Sequence, residues 1–297
     1  MKHRVESLVG CLFLLFTSSL LAAVAATSQA TSQPAAEHAA SPDKKLRVGF
    51  VVSLYTATGP SGIGRPYGYD HAEIVEKLHL DNAQLIPLIE PGSEEDEDMK
   101  NMIASKFPDA DGQVMLATDL DSLKSLDAIV VYRAPNMKDE VLEGLTKAVQ
   151  EGVGLLWVGP VGANNPGTTD VLNNLIGLKD GQYGYATEAV DMEIVAKDDP
   201  LLKGLDDTEK WKCGVNGFSG VFKDDVKFLV KRSTSDEITY PFKKVDESAD
   251  FYLVYQAPLG KGTVIVCNWS GNPPEVINEE PSFYVRCIQR LAELRKK

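Results

Sequence analysis

Sulfur and imidazole are scarce in this chain, with four cysteines and four histidines among 297 residues. Cys11 falls in an N-terminal apolar run, which leaves Cys213, Cys267 and Cys287. Three thiols cannot all pair within one chain, so a disulfide-dense scaffold is excluded. In an exported chain one bridge among them stays possible, and spacing does not choose the pair. No two cysteines have metal-site spacing, and no metal or other cofactor is expected. Cys267 lies in an apolar run and Cys287 in an amphipathic one, where buried inert thiols are expected. Positive charge is short as well, with 30 Lys and Arg against 43 Asp and Glu and a net charge of −13. A body of that sign lacks the basic face that nucleic acid or an anionic membrane requires. A phosphate cradle is missing too, because Gly59–Gly64 does not follow the GxGxxG pattern and Pro60 interrupts it. There is no internal repeat.

Three segments are distinguished by composition. Residues 1–26 have a basic start (Lys2, His3, Arg4), an apolar run and the small-residue end Ala23-Val-Ala-Ala26, the pattern of a cleaved signal peptide. Left uncleaved, that run approaches the length that spans a bilayer and would be the chain's sole membrane contact. The expected destination is the periplasm or the exterior. Residues 27–45 are Ala, Ser, Thr, Gln and Pro without periodicity, a flexible linker. The whole chain is 43% hydrophobic and 25% charged, the balance of a globular protein, and residues 46–297 read as one α/β domain.

That domain is organised around Leu126–Gly162. Asp127–Tyr132 reads as a buried strand, Arg133–Asn136 as its exit loop, Lys138–Gln150 as a helix, and Val153–Val158 as a second buried strand. Asn136 is placed to cap the helix, and Gly152 to stop it in the left-handed conformation. A strand, a helix and a strand in this order form a right-handed unit with parallel strands. Further parallel strands are expected at Leu46–Ser53 and Ala83–Leu88, with helices at 69–79, Met99–Phe107, Thr168–Ile176 and Pro281–Arg295. Glu188–Ala196, Lys227–Arg232, Ala249–Gln256 and Thr263–Asn268 read as strands, the last entered by the hairpin turn Gly260-Lys-Gly262. Gly112–Ala117 is ambiguous between strand and loop. Trp211–Phe222, rich in glycine and aromatics, fits no single element. The acidic stretch Glu90–Asp98 reads as a solvated loop.

Four features together resemble the trehalose-utilisation (ThuA-like) family of the class I glutamine amidotransferase-like superfamily. They are Tyr69-Asp-His71 after the first strand, the Asp127–Gly162 unit, Asp199-Pro-Leu-Leu-Lys-Gly-Leu205, and Gly260-Lys-Gly-Thr-Val-Ile-Val266 before the last helix. The resemblance covers roughly Leu46–Lys297. It implies a flavodoxin-like open sheet, mostly parallel, with helices on both faces. Amidotransferases of this superfamily carry Gly-x-Cys-x-Gly at a strained strand-to-helix elbow. Aligned on Gly162, this chain has Pro160 in the nucleophile's place, and proline has no nucleophilic atom. Where the catalytic histidine should follow the final strand stands Asn268-Trp-Ser-Gly-Asn-Pro-Pro-Glu275. Glutamine hydrolysis by the Cys-His-Glu route is therefore not expected.

Ligands of open parallel sheets bind at the carboxyl ends of the strands. There the resemblance places His71, with Tyr69 beside it, as a general base or a hydrogen-bond donor to a sugar hydroxyl; the alternative is a helix-capping histidine. Arg133, Asn136, Asn164 and Asn165 leave central strands at the same edge and supply either ligand contacts or ordinary caps and surface pairs. The expected function is a small-molecule binding domain for a carbohydrate-related ligand. The alternatives are a hydrolase or isomerase of sugar derivatives using His71, and a non-catalytic scaffold.

Overall fold

The computed structural model describes residues 45–52, 82–110, 112–132, 137–159, 169–186, 192–203, 214–232, 238–239, 252–270 and 283–295. The elements in chain order are β1 (Leu46–Val52), β2 (Ala83–Ile89), α1 (Glu97–Lys106), β3 (Met115–Leu116), α2 (Leu120–Leu123), β4 (Ala128–Tyr132), α3 (Asp139–Gln150) and β5 (Gly154–Val158). They continue with α4 (Asp170–Leu175), β6 (Leu178–Ala186), β7 (Met192–Ile194), β8 (Gly214–Phe222), β9 (Lys227–Arg232) and β10 (Ile238–Thr239). The chain closes with β11 (Tyr252–Leu259), β12 (Gly262–Cys267), β13 (Trp269–Ser270) and α5 (Phe283–Arg295). Residues 43–297 belong to one unit.

Nine strands form the main sheet in the order β3-β2-β1-β4-β5-β12-β11-β9-β7. The first six are parallel, and β11, β9 and β7 continue the sheet antiparallel. Within the parallel part, the five long strands follow the order 2-1-3-4-5 of flavodoxin-like sheets. The expected fold class is the observed one.

Alternation of side chains divides the core in two. Val48, Phe50, Val52, Val130, Leu156 and Ile265 point to one face, where Met99 of α1 and Cys287, Ile288 and Leu291 of α5 cover them. Val51, Ile129, Val131, Trp157, Val264 and Val266 point to the other, under Val141, Leu145 and Ala148 of α3 and Leu172 and Leu175 of α4. Every residue of β4 and β5 is buried, which is why their sequences are unbroken apolar runs rather than alternating ones.

Among the described residues most expected elements are in place, while the helix expected at 69–79 lies outside them. The differences have identifiable causes. Met115–Leu116 of the ambiguous stretch pairs with Leu88 and Ile89 as a two-residue edge strand. Glu97 and Asp98, read as solvated loop, form the first turn of α1, because the Asp96 carboxylate accepts from the Met99 N–H and caps the helix. Of the expected strand at Glu188–Ala196, Met192–Ile194 pairs with β9, Val195 and Ala196 follow the strand, and residues 188–191 lie outside the described residues. A second sheet, β10-β6-β8-β13, was not foreseen. Its long pair β6 and β8 contains Gly181, Gly184, Gly214, Gly217 and Gly220, so neither strand shows an apolar period. Backbone pairing rather than side-chain pattern defines it.

Gly144 shows how tightly α3 is seated. A Cβ there would lie 2.5 Å from the Ala117 carbonyl oxygen and 3.0 Å from the Thr118 Cα. Both obstacles are backbone and cannot rotate away. Gly144→Ala should therefore destabilise the protein by about 1–3 kcal/mol, although alanine is favoured over glycine in a helix by about 1 kcal/mol. Urea unfolding checks this: the midpoint should fall with an unchanged denaturant slope, and an unchanged or raised midpoint contradicts the packing described.

Candidate functional site

The order in which strands are added to the sheet reverses between the parallel neighbours β1 and β4, since β1 leads to β2 on one side while β4 and β5 lie on the other. Such a switch point leaves a crevice beyond the carboxyl ends of the strands. Of the residues expected there, Tyr69, His71, Arg133, Asn136, Pro160, Asn164 and Asn165 all lie outside the described residues, as does Cys213. The strand ends that lead to them are described, and they establish the site's frame.

At the end of β5, Gly159 has φ 82° and donates its N–H to the Cys267 carbonyl at 2.9 Å. The ladder between β5 and β12 thus runs one residue past the strand, up to the position that proline follows in sequence. Cys267 is the thiol described nearest this bend. It is fully buried, and burial first, then its hydrogen bond with Cys287, push its pKa well up. Both thiols are free. A protonated, enclosed thiol is not an activated nucleophile.

Beyond β12, the first residue of the stretch where a catalytic histidine would follow is Asn268. It is wholly buried, donates its Nδ2–H to the Tyr252 carbonyl at 2.9 Å, and donates its backbone N–H to the Leu253 carbonyl at 2.7 Å. Asn268 therefore ties β12 to β11 and is structural. On the other side, Tyr132 ends β4 and meets Tyr284 of α5 edge-on at 6.2 Å, so the start of the last helix closes over the same edge.

One residue at this edge escaped the sequence reading. Glu90, which follows β2, reaches across to the start of α3 and accepts a hydrogen bond from the Lys138 backbone N–H. The expected cap at Asn136 is thereby corrected: the N-cap position belongs to Lys138, whose side chain makes no cap bond, and a carboxylate distant in sequence serves instead. The Lys138 ammonium in turn donates to the Pro91 carbonyl at 3.3 Å and lies 3.8 Å from Glu140. The other carboxyl oxygen of Glu90, Oε1, is buried and has no partner among the described residues. Burial raises the Glu90 pKa above the usual carboxylate value, and Glu140 adds to the rise. The Lys138 charge and its N–H pull it partway back. A buried acceptor without a partner is costly to keep and marks a place where a ligand can bond. Its sequence signal was weak, because Glu90 heads an acidic run that otherwise is solvent-exposed.

Among the described residues no group of three or more His, Cys, Asp or Glu is placed to hold a metal, and no helix is long and apolar enough to cross a membrane.

No family model matches the chain, and no curated protein does. Solved structures do. A protein described as ThuA-like from Bacteroides uniformis is 14% identical, with 88% of this chain and 95% of that one covered at a TM-score of 0.50. The fold is that of a ThuA-like protein. Two proteins from Salmonella typhimurium are also similar: one 16% identical at a TM-score of 0.47 over 84% of this chain and 98% of its own, the other 14% identical at 0.49 over 83% and 99%. Both are described as cytoplasmic, which runs against export, and the periplasmic or extracellular destination expected from residues 1–26 is corrected on that finding.

The ionisation of Glu90 has a consequence for stability. A carboxyl whose pKa is raised on folding is protonated in the folded state over a range where the unfolded chain is already ionised. Stability is then full below the ordinary carboxylate pKa and declines as pH rises through the raised value. Glu90→Gln keeps an acceptor for the Lys138 N–H and removes the charge. The variant should melt above the parent at pH 7 and level with it at pH 4, by less than about 1 kcal/mol because the group is partly solvated. Thermal melts from pH 4 to 8 measure it; a difference that does not grow with pH refutes the assignment.

Proposed function

We infer that the edge formed by Glu90, the start of α3 and the ends of β1, β4 and β5 binds a small, neutral, hydroxyl-rich molecule, with a carbohydrate or sugar derivative as the chemical class. The observation that carries this reading is the buried, unpartnered Glu90 oxygen at the switch point of a parallel sheet. A hydroxyl donates to such an oxygen without bringing charge into the crevice. The net charge of −13 favours neutral ligands over anionic ones and disfavours nucleic acid as a partner. Tyr69, His71, Arg133, Asn136, Asn164 and Asn165 belong to the segments that follow or precede these strand ends and are proposed as further contacts. Pro160 follows Gly159 where an amidotransferase keeps its nucleophile, so glutamine hydrolysis is not the proposed chemistry.

A second reading, an enzyme acting on sugar derivatives, has one observation in its favour. A carboxyl with a raised pKa at a ligand-binding edge has the property required of a general acid, with His71 as the complementary base.

Thermal shift of the full chain against neutral sugars, sugar acids and amino sugars tests the binding reading. A neutral sugar at one hundred times its dissociation constant should stabilise the protein by about 2.7 kcal/mol. Glu90→Ala should remove most of that response. A panel without any neutral-sugar response, or a response that Glu90→Ala leaves intact, overturns the assignment. Turnover of a responding sugar, lost on deprotonation of Glu90, would favour the enzyme.

A further inference from the structure

A cavity of about 530 Å³ lies on the other face of the sheet, between α1, the 3-10 turn Pro108–Ala110 and the β2–β3 edge. Ile89, Met99 and Phe107, which line it, belong to the core under α1 and α5, whereas α3 and the Glu90 contact belong to the opposite face. Its size falls within the range of small-molecule pockets. The interior is apolar, with Phe107 and the two thioethers of Met99 and Met115 as its distinctive groups. Thioether sulfur packs favourably along aromatic ring edges and adapts its shape to them. That lining suits a flat aromatic body.

The polar groups are confined to the mouth and comprise Ser93, Glu94 and Lys100. Lys100 is already taken: its ammonium lies 3.2 Å from Glu95 and 3.0 Å from Glu97, two carboxylates for one positive charge. Glu94 holds no ion pair among the described residues. The sequence continues Glu95-Asp-Glu-Asp98, so the rim carries negative charge in excess. An anionic amphiphile would meet repulsion at the entrance and find, among the described lining residues, no cation but the paired Lys100. An ammonium would meet attraction, and at an exposed rim it stays hydrated.

We propose that this cavity is a binding site for a small aromatic amine, its ring held among Met99, Phe107 and Met115 and its ammonium beside Glu94 at the mouth. The two halves of such a molecule match the two halves of the site. The proposal does not rest on the carbohydrate reading, and its failure would leave the Glu90 edge untouched.

Two probes of nearly equal shape and opposite charge decide it. Titration calorimetry of the full chain at pH 7 and low salt should show 2-phenylethylammonium binding at least about five-fold more tightly than 3-phenylpropionate, with the preference shrinking as salt is added. Glu94→Gln should weaken the amine by about two- to five-fold, the scale of an exposed ion pair. Val114→Trp places an indole across the cavity from a residue that is 42% exposed, so the fold should tolerate it and amine binding should disappear. Absence of amine binding overturns the proposal. So does a carboxylate that binds equally well, or amine binding that Val114→Trp leaves unchanged, since the last would place the amine elsewhere.

Discussion

Burial of β1, β4 and β5 on both faces is the constraint from which the rest of the structure follows. A parallel strand with apolar side chains above and below cannot be left with one face in water. Alternate residues of these strands feed two separate cores, with Phe50, Val130 and Leu156 on one side and Val51, Ile129 and Trp157 on the other. Each core needs helices above it, and right-handed crossovers between parallel strands supply them. Because those strands run the same way, all their carboxyl ends open on a single edge. A binding edge is thus a by-product of how the hydrophobic surface is covered.

The same edge is framed by the ends of β5 and β12. Gly159, with its positive φ, donates its N–H to the Cys267 carbonyl and extends the pairing of the two strands by one residue. Asn268, at the end of β12, is committed to holding β11. Across the edge Glu90 links the exit of β2 to the start of α3 and retains one oxygen without a partner among the described residues. A structural bond and a vacant acceptor on one carboxyl group combine rigidity with a capacity to bind.

Much of the fold was legible because burial on two faces leaves an unmistakable trace. Ala128–Tyr132 and Gly154–Val158 are uninterrupted apolar runs, and Val141, Leu142, Leu145, Ala148 and Val149 repeat at helical spacing between them. The antiparallel sheet of β6 and β8 left no such trace, since strands held by backbone bonds through several glycines need no apolar period. The candidate site was legible in position and not in membership. Glu90 belongs by sequence to an acidic loop, and its difference from Glu94 or Glu95 arises from a hydrogen bond to a residue 48 positions away.

What the amino-acid sequence determined alone is the local: the parallel strands and helix between Leu126 and Val158 and the glycine stops. These depend on residue type and on neighbours within a few positions. Which carboxylate is buried, which lysine is already paired and which methionines share a cavity were decided only by tertiary structure, because desolvation and pairing depend on groups that the chain brings together from afar.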